Sequence, residues 1–166
     1  MTSKQIVVMG VAGCGKSAVG ALLAKKLGLP LIEGDDFHPA ANVQKMQQGV
    51  PLVDADRMGW LQTLADELAR HRQGAVLTCS ALKVAYRDAL RAGAPNLCFV
   101  HLAITPQESM RRVAGRADHF YPPALVASQF EALQDPSDEP LVLVLDGTQS
   151  LAALADQAAA WVVNQR

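Results

Sequence analysis

The sequence has no basic excess: fifteen Lys and Arg face sixteen Asp and Glu, for a formal net charge of −1. A nucleic-acid or membrane-surface partner usually shows as a basic patch, so neither is expected. Cysteine is scarce. Cys14, Cys79 and Cys98 are odd in number and form no C-x-x-C pair, and free thiols in a reducing cytoplasm account for them best. No apolar run approaches the ~20 residues that span a bilayer. The first strand is expected within about five residues of the N-terminus, so no signal peptide is expected. Internal repeats and low-complexity segments are also lacking. What remains is a chain of 166 residues, half of them apolar, which suits one folded domain with a sizeable core.

The stretch around which the rest is organised is Gly10-Val11-Ala12-Gly13-Cys14-Gly15-Lys16-Ser17. It fits G-x-x-x-x-G-K-[ST], a loop whose glycines let successive N–H groups converge on an anion. Lys16 is expected to reach the β- and γ-phosphates of ATP, and the Ser17 hydroxyl to complete a Mg²⁺ shell. The helix that follows, with Ala18 in its first turn, adds the positive end of its dipole. Context supports the match. Ile6-Val7-Val8-Met9 precedes the loop as a buried strand, and Ala18–Leu27 follows with Val19, Leu22, Leu23 and Leu27 on one face.

Further apolar runs at 29–32, 75–79, 97–102 and 141–145 read as strands, and helical periodicities alternate with them. Helices are expected from Gly59 to Arg72, Leu82 to Ala92, Thr105 onward, Pro122-Pro123 onward and Leu151 to Val163; residues 37–58 read as mixed and turn-rich. Thr105-Pro106-Gln107-Glu108 has the form of a capping box. Alternating strands and helices imply an α/β fold with a parallel sheet covered on both faces, and such sheets bind ligands beyond the carboxyl ends of their strands. Four polar clusters fall there: 10–17, 33–38, 79–91 and 146–149.

Glu33-Gly34-Asp35-Asp36-Phe37-His38 offers carboxylates that could hold a metal water or accept a proton from an acceptor hydroxyl; an acidic turn or helix cap is the plainer reading. Lys83, Arg87 and Arg91 are spaced four apart and stack three cations on one helical face. Such stacking costs roughly 0.2–0.5 kcal/mol per pair, so either a bound anion or a solvated stripe must accommodate it. Arg112, Arg116 and His119 suggest a lid over transferring phosphates, or merely an exposed basic helix. One more feature is missing: strand three ends at Thr78-Cys79-Ser80, without the metal-binding Asp of many ATPases. This points to small-molecule kinases in which an acid after strand two takes part.

Together these residues make the chain similar to the P-loop gluconokinases, relatives of shikimate kinase. The resemblance runs over nearly the whole length. It is carried by 9–17, by Glu33-Gly34-Asp35-Asp36-Phe37-His38-Pro39, and by Asn42, Lys45-Met46, Gly49, Pro51-Leu52, Asp54, Asp56-Arg57 and Trp60-Leu61. It continues through Cys79-Ser80-Ala81-Leu82-Lys83, Tyr86-Arg87-Asp88, Arg112, Arg116, His119-Phe120, Ser128-Gln129-Phe130-Glu131, Leu133 and Pro136. Glu33 stands where some members have Asp, and Gly59 precedes Trp60 where Pro is usual.

The resemblance implies a three-layer P-loop kinase fold, a single domain with a five-stranded parallel sheet. It implies a helical substrate-binding segment at about 37–72 and a lid at about 111–127. The activity it implies is ATP- and Mg²⁺-dependent phosphorylation of the 6-hydroxyl of D-gluconate by a cytoplasmic homodimer. Under it, Gly10 to Ala18, Arg112 and Arg116 bind the nucleotide, with Lys16, Asp35 and Arg116 catalytic. Asp35, His38, Ser80, Lys83, Arg87 and His119 bind the acceptor, and the 146–149 turn lies near the adenine. A kinase of another small acid such as shikimate, or a nucleotide-dependent binding module, are the competing readings.

Overall fold

The computed structural model describes residues 4–115 and 123–165. Among them the chain runs β1 (Lys4–Met9), α1 (Lys16–Leu27), β2 (Leu31–Glu33), a 3₁₀ turn (Gly34–Phe37), α2 (Ala40–Gln47), α3 (Asp54–Arg70) and β3 (Gly74–Thr78). It continues through α4 (Val84–Gly93), β4 (Cys98–Ala103), α5 (Pro106–Ala114), α6 (Pro123–Ala132), β5 (Val142–Asp146) and α7 (Leu151–Val163). The five strands form one parallel sheet in the order β2-β3-β1-β4-β5.

The central strand shows why a continuous apolar run is needed. Ile6 and Val8 point to one face, where α1 and α7 supply Val19, Leu23, Leu154 and Val162. Val7 and Met9 point to the other, against Trp60, Leu61, Leu64 and Leu68 of α3 and Leu90 of α4. All four strand residues are fully buried. A strand covered on both faces has no solvent side on which a polar residue could alternate. The result is the three-layer α/β architecture with the ligand edge at the strands' carboxyl ends.

Three local expectations are corrected. Residues 40–47 form a helix, and α3 starts at Asp54 rather than Gly59. The Asp56 carboxylate accepts from the Val53 N–H at 2.9 Å and from Lys45 Nζ at 2.8 Å, so the start of α3 is fixed by a side chain and tied to α2. The capping box at α5 is only half formed. Thr105 Oγ1 accepts from the Glu108 N–H at 3.1 Å, but the Glu108 carboxylate turns to Arg111 and Arg112 instead of the cap. All three cysteines are buried and free, and among the described residues no helix is long and apolar enough to cross a membrane.

Candidate active site

The phosphate loop joins β1 to α1 at the carboxyl edge of the sheet. Gly10, Gly13 and Gly15 adopt φ of +147°, +78° and +100°, a region that side chains strain to enter. This left-handed path curls the loop. The first turn of α1 carries no acidic residue of its own and its N-cap is glycine, which supplies no side-chain cap. Lys16 Nζ folds over the loop and donates to the carbonyls of Gly10 and Val11, both at 3.1 Å. Cys14 is buried beneath it, while Ser17 and Ala18 stand exposed at the start of the helix.

Opposite the loop lies the end of β2. Ser17 Oγ donates to Glu33 Oε2 at 3.0 Å, and Thr78 Oγ1 donates to the same oxygen at 2.8 Å. Glu33 pairs with Thr78 in the sheet register, so the acid that strand three lacks is supplied by its neighbour. The 3₁₀ turn then passes so close to β3 that a Cβ on Gly34 would lie 2.2 Å from the Thr78 carbonyl oxygen. Glycine is required there. Trp60 Nε1 holds the Gly34 carbonyl at 2.8 Å, and the Trp60 ring stacks on His38 with centroids 4.0 Å apart.

That staple aims Asp35 and His38 into a cleft of about 160 Å³ that they share with Lys16, Ser17, Arg57 and Ser80. Asp36 does not line it. His38 Nε2 lies 3.7 Å from Asp35 Oδ1, and burial, opposed by Asp35 and assisted by Arg57, lowers the His38 pKa.

Besides Lys16, the cation facing this cleft is Arg57, one of the resembling residues to which the sequence assigned no role. Its guanidinium lies 5.4 Å from the centre of the Tyr86 ring, and its buried Nε has no hydrogen-bond partner among the described residues. Arg57 precedes Trp60 by one helical turn, and that i,i+3 spacing was the available signal.

The expected stripe of Lys83, Arg87 and Arg91 is corrected. Arg87 is fully buried, clasps Glu139 through Nε and Nη2, and donates to the carbonyls of Ala81 at 2.7 Å and Gln134 at 2.9 Å. Arg91 reaches Glu139 and Asp88, and Lys83 reaches Asp54 at 3.0 Å. Burial alone would raise the Glu139 pKa, but the two arginines hold it below the usual range. The like charges are tolerated because distant carboxylates neutralise them, so no acceptor anion is needed. Arg87 also holds Ala81, whose φ of +48° is unusual for a residue with a side chain, and so fixes the strand end that presents Ser80.

Arg112 donates to the carbonyls of Gly13 at 3.0 Å and Gly147 at 2.9 Å while pairing with Glu108, so it braces the phosphate loop against the 146–149 turn. Arg116, His119 and Phe120 lie outside the described residues. On the cleft's far side α6 contributes Leu125, Ser128 and Gln129, none of which had been given a role.

A larger hollow of about 1120 Å³ opens at the opposite, amino-terminal edge of the strands, beside Lys4, Gly28, Pro30 and Gly74. It contains no residue of the phosphate loop or of the Asp35 turn. Size favours the hollow, but the convergence of the phosphate loop, the Asp35 carboxylate and the Arg57 guanidinium favours the smaller cleft as the reactive one.

Comparison with known proteins shows the family. A family model described as "AAA domain" matches residues 6–140. The chain is 40% identical over 161 residues to the thermosensitive gluconokinase of Escherichia coli (strain K12), covering 95% of this chain and 86% of that one. A crystal structure of a gluconokinase from Sinorhizobium meliloti 1021 superposes with a TM-score of 0.90 at 43% identity, over 97% of this chain and 92% of that one. Shikimate kinase from Aquifex aeolicus shares the fold alone, with a TM-score of 0.67 at 16% identity over 96% of both chains. On sequence and backbone alike, over nearly its full length, the chain belongs to the gluconokinase family of P-loop kinases.

Proposed function

We propose that the chain transfers the γ-phosphoryl group of ATP to the 6-hydroxyl of D-gluconate, with Mg²⁺ as the metal. The observation that carries this reading is the juxtaposition, in one cleft, of the phosphate loop, the Asp35 carboxylate and the Arg57 guanidinium. P-loop kinases use ATP with a divalent metal, and the oxygen donors here suit one. The Ser17 hydroxyl and Glu33 carboxylate adjoin at 3.0 Å, the kind of set a hard cation takes alongside phosphate oxygens. The metal neutralises phosphate charge when bound.

The protein's own part is positioning and electrostatics. Lys16 swings from the loop carbonyls to the β/γ-phosphates. Asp35 orients the acceptor hydroxyl and takes its proton as the oxygen attacks phosphorus and the bond to ADP breaks. Arg57 receives the acceptor's carboxylate, since a guanidinium pairs with a carboxylate through parallel N–H donors. His38 and Ser80 complete the polar wall. Arg116 and His119 are assigned to the closing lid on the family likeness, as are the adenine's place by the 146–149 turn, a homodimer and a cytoplasmic location.

A coupled assay with ATP, Mg²⁺ and a panel of gluconate, glucose and shikimate tests the reading. Gluconate should be phosphorylated, while glucose, which lacks the carboxylate, should be poor. Equal use of glucose would remove Arg57 from its role, and use of shikimate in preference to gluconate would replace the acceptor.

A further inference from the structure

One peptide unit of the phosphate loop is held from both sides. The Val11 carbonyl accepts from Lys16 Nζ at 3.1 Å, and the N–H of the same unit, on Ala12, donates to Gln129 Oε1 of α6 at 2.6 Å. The next carbonyl, of Ala12, accepts from the buried Ser109 Oγ of α5 at 2.7 Å. The outer lip of the loop is therefore satisfied by side chains, and both Ala12 and Gln129 line the cleft.

We infer that Gln129 sets the loop's preference between nucleoside triphosphate and diphosphate by occupying an N–H that a γ-phosphate oxygen takes in its turn. The inference rests on the phosphate loop binding ATP. Loop N–H groups are the ligands of such anions, and a carboxamide oxygen is a neutral acceptor of similar size. The held peptide adjoins the ammonium of Lys16, the group that serves the β/γ end of the chain of phosphates. A phosphate oxygen is charged and binds an N–H about twice as strongly as a neutral carbonyl does, so it displaces Gln129. A diphosphate has no such oxygen and leaves Gln129 in place. After transfer, Gln129 retakes the Ala12 N–H, so the loop holding ADP is not left with an unpaired donor.

The test is calorimetric titration of the full chain with Mg²⁺ and either ADP or a non-hydrolysable imido analogue of ATP. It compares the wild type with Gln129→Ala and the isosteric Gln129→Glu. Removing the competitor should tighten the triphosphate analogue about three- to tenfold, the worth of one neutral hydrogen bond, and leave ADP nearly unchanged. The carboxylate of Gln129→Glu, a stronger acceptor and a like charge, should weaken the analogue at least tenfold more than it weakens ADP. A ratio of the two affinities that is the same in all three proteins overturns the inference and makes Gln129 a staple only. Gluconate is absent from the titration, so failure of the acceptor assignment would show in turnover and leave this ratio unaltered.

Discussion

Arg87 has no exposed surface and its donors are spent on Glu139, Ala81 and Gln134, so its replacement belongs to stability rather than to binding. Arg87→Met leaves Glu139 to Arg91 alone and frees the buried Ala81 carbonyl and that of Gln134, which should cost about 3 kcal/mol in chemical denaturation. The KM for gluconate in the folded enzyme should change little. Arg57 is the opposite case, a half-buried guanidinium in the cleft whose Nε has no partner among the described residues. Arg57→Ala should raise the KM for gluconate about tenfold to a hundredfold, the worth of a charge-assisted hydrogen bond or two, with the KM for ATP nearly unchanged. Steady-state kinetics on both variants checks the pair. Interchanged outcomes would exchange the two roles. The difference was hidden in the sequence because Glu139 lies 52 residues from Arg87, and no local pattern announces a partner at that distance.

At the scale of elements, the phosphate loop was legible because its chemistry is local. Glycines at fixed spacing between an apolar strand and a helix suffice to specify it. The acceptor side was less so. Helix α2 falls in the stretch that reads as mixed and turn-rich because its apolar residues mark no buried face, and among its residues only Asn42 is buried. Tertiary contacts hold it instead, through the 2.9 Å bond from Asn42 to the Asp56 carbonyl and the Lys45–Asp56 pair. The turn between β2 and α2 makes its own prediction. Asp35 lines the cleft and Asp36 does not, so Asp35→Asn should lower kcat by about 10²–10⁴ with an unchanged nucleotide affinity, and Asp36→Asn should be nearly neutral. Loss of turnover in Asp36→Asn alone would exchange them. Gly34→Ala forces a Cβ onto the Thr78 carbonyl oxygen and should destabilise the fold by about 1–3 kcal/mol in a thermal melt.

For the whole molecule, acid is the informative perturbation. His101 is buried on β4, and burial lowers its pKa against the opposing pull of Asp135, while Arg87 and Lys16 add to the lowering. His38 shifts the same way. The unfolded chain therefore binds more protons than the folded one below the usual histidine value of about 6.5, so stability should fall as pH drops through that value towards the folded pKa. Denaturation midpoints measured between pH 7.5 and 5 should show that slope, and His101→Gln should flatten it. A wild-type midpoint indifferent to pH over this range would contradict the burial argument.

The central claim is that one cleft joins the phosphate loop to an acceptor site for a sugar acid, and single-turnover phosphoryl transfer to gluconate in wild type and Lys16→Ala measures it most directly. Wild type should form 6-phosphogluconate and ADP in equal amounts, with Lys16→Ala slower by about 10²–10³ while still folded, as for loss of one preorganised donor. Transfer at the wild-type rate by Lys16→Ala, or release of ADP without a phosphorylated sugar acid, would contradict the account.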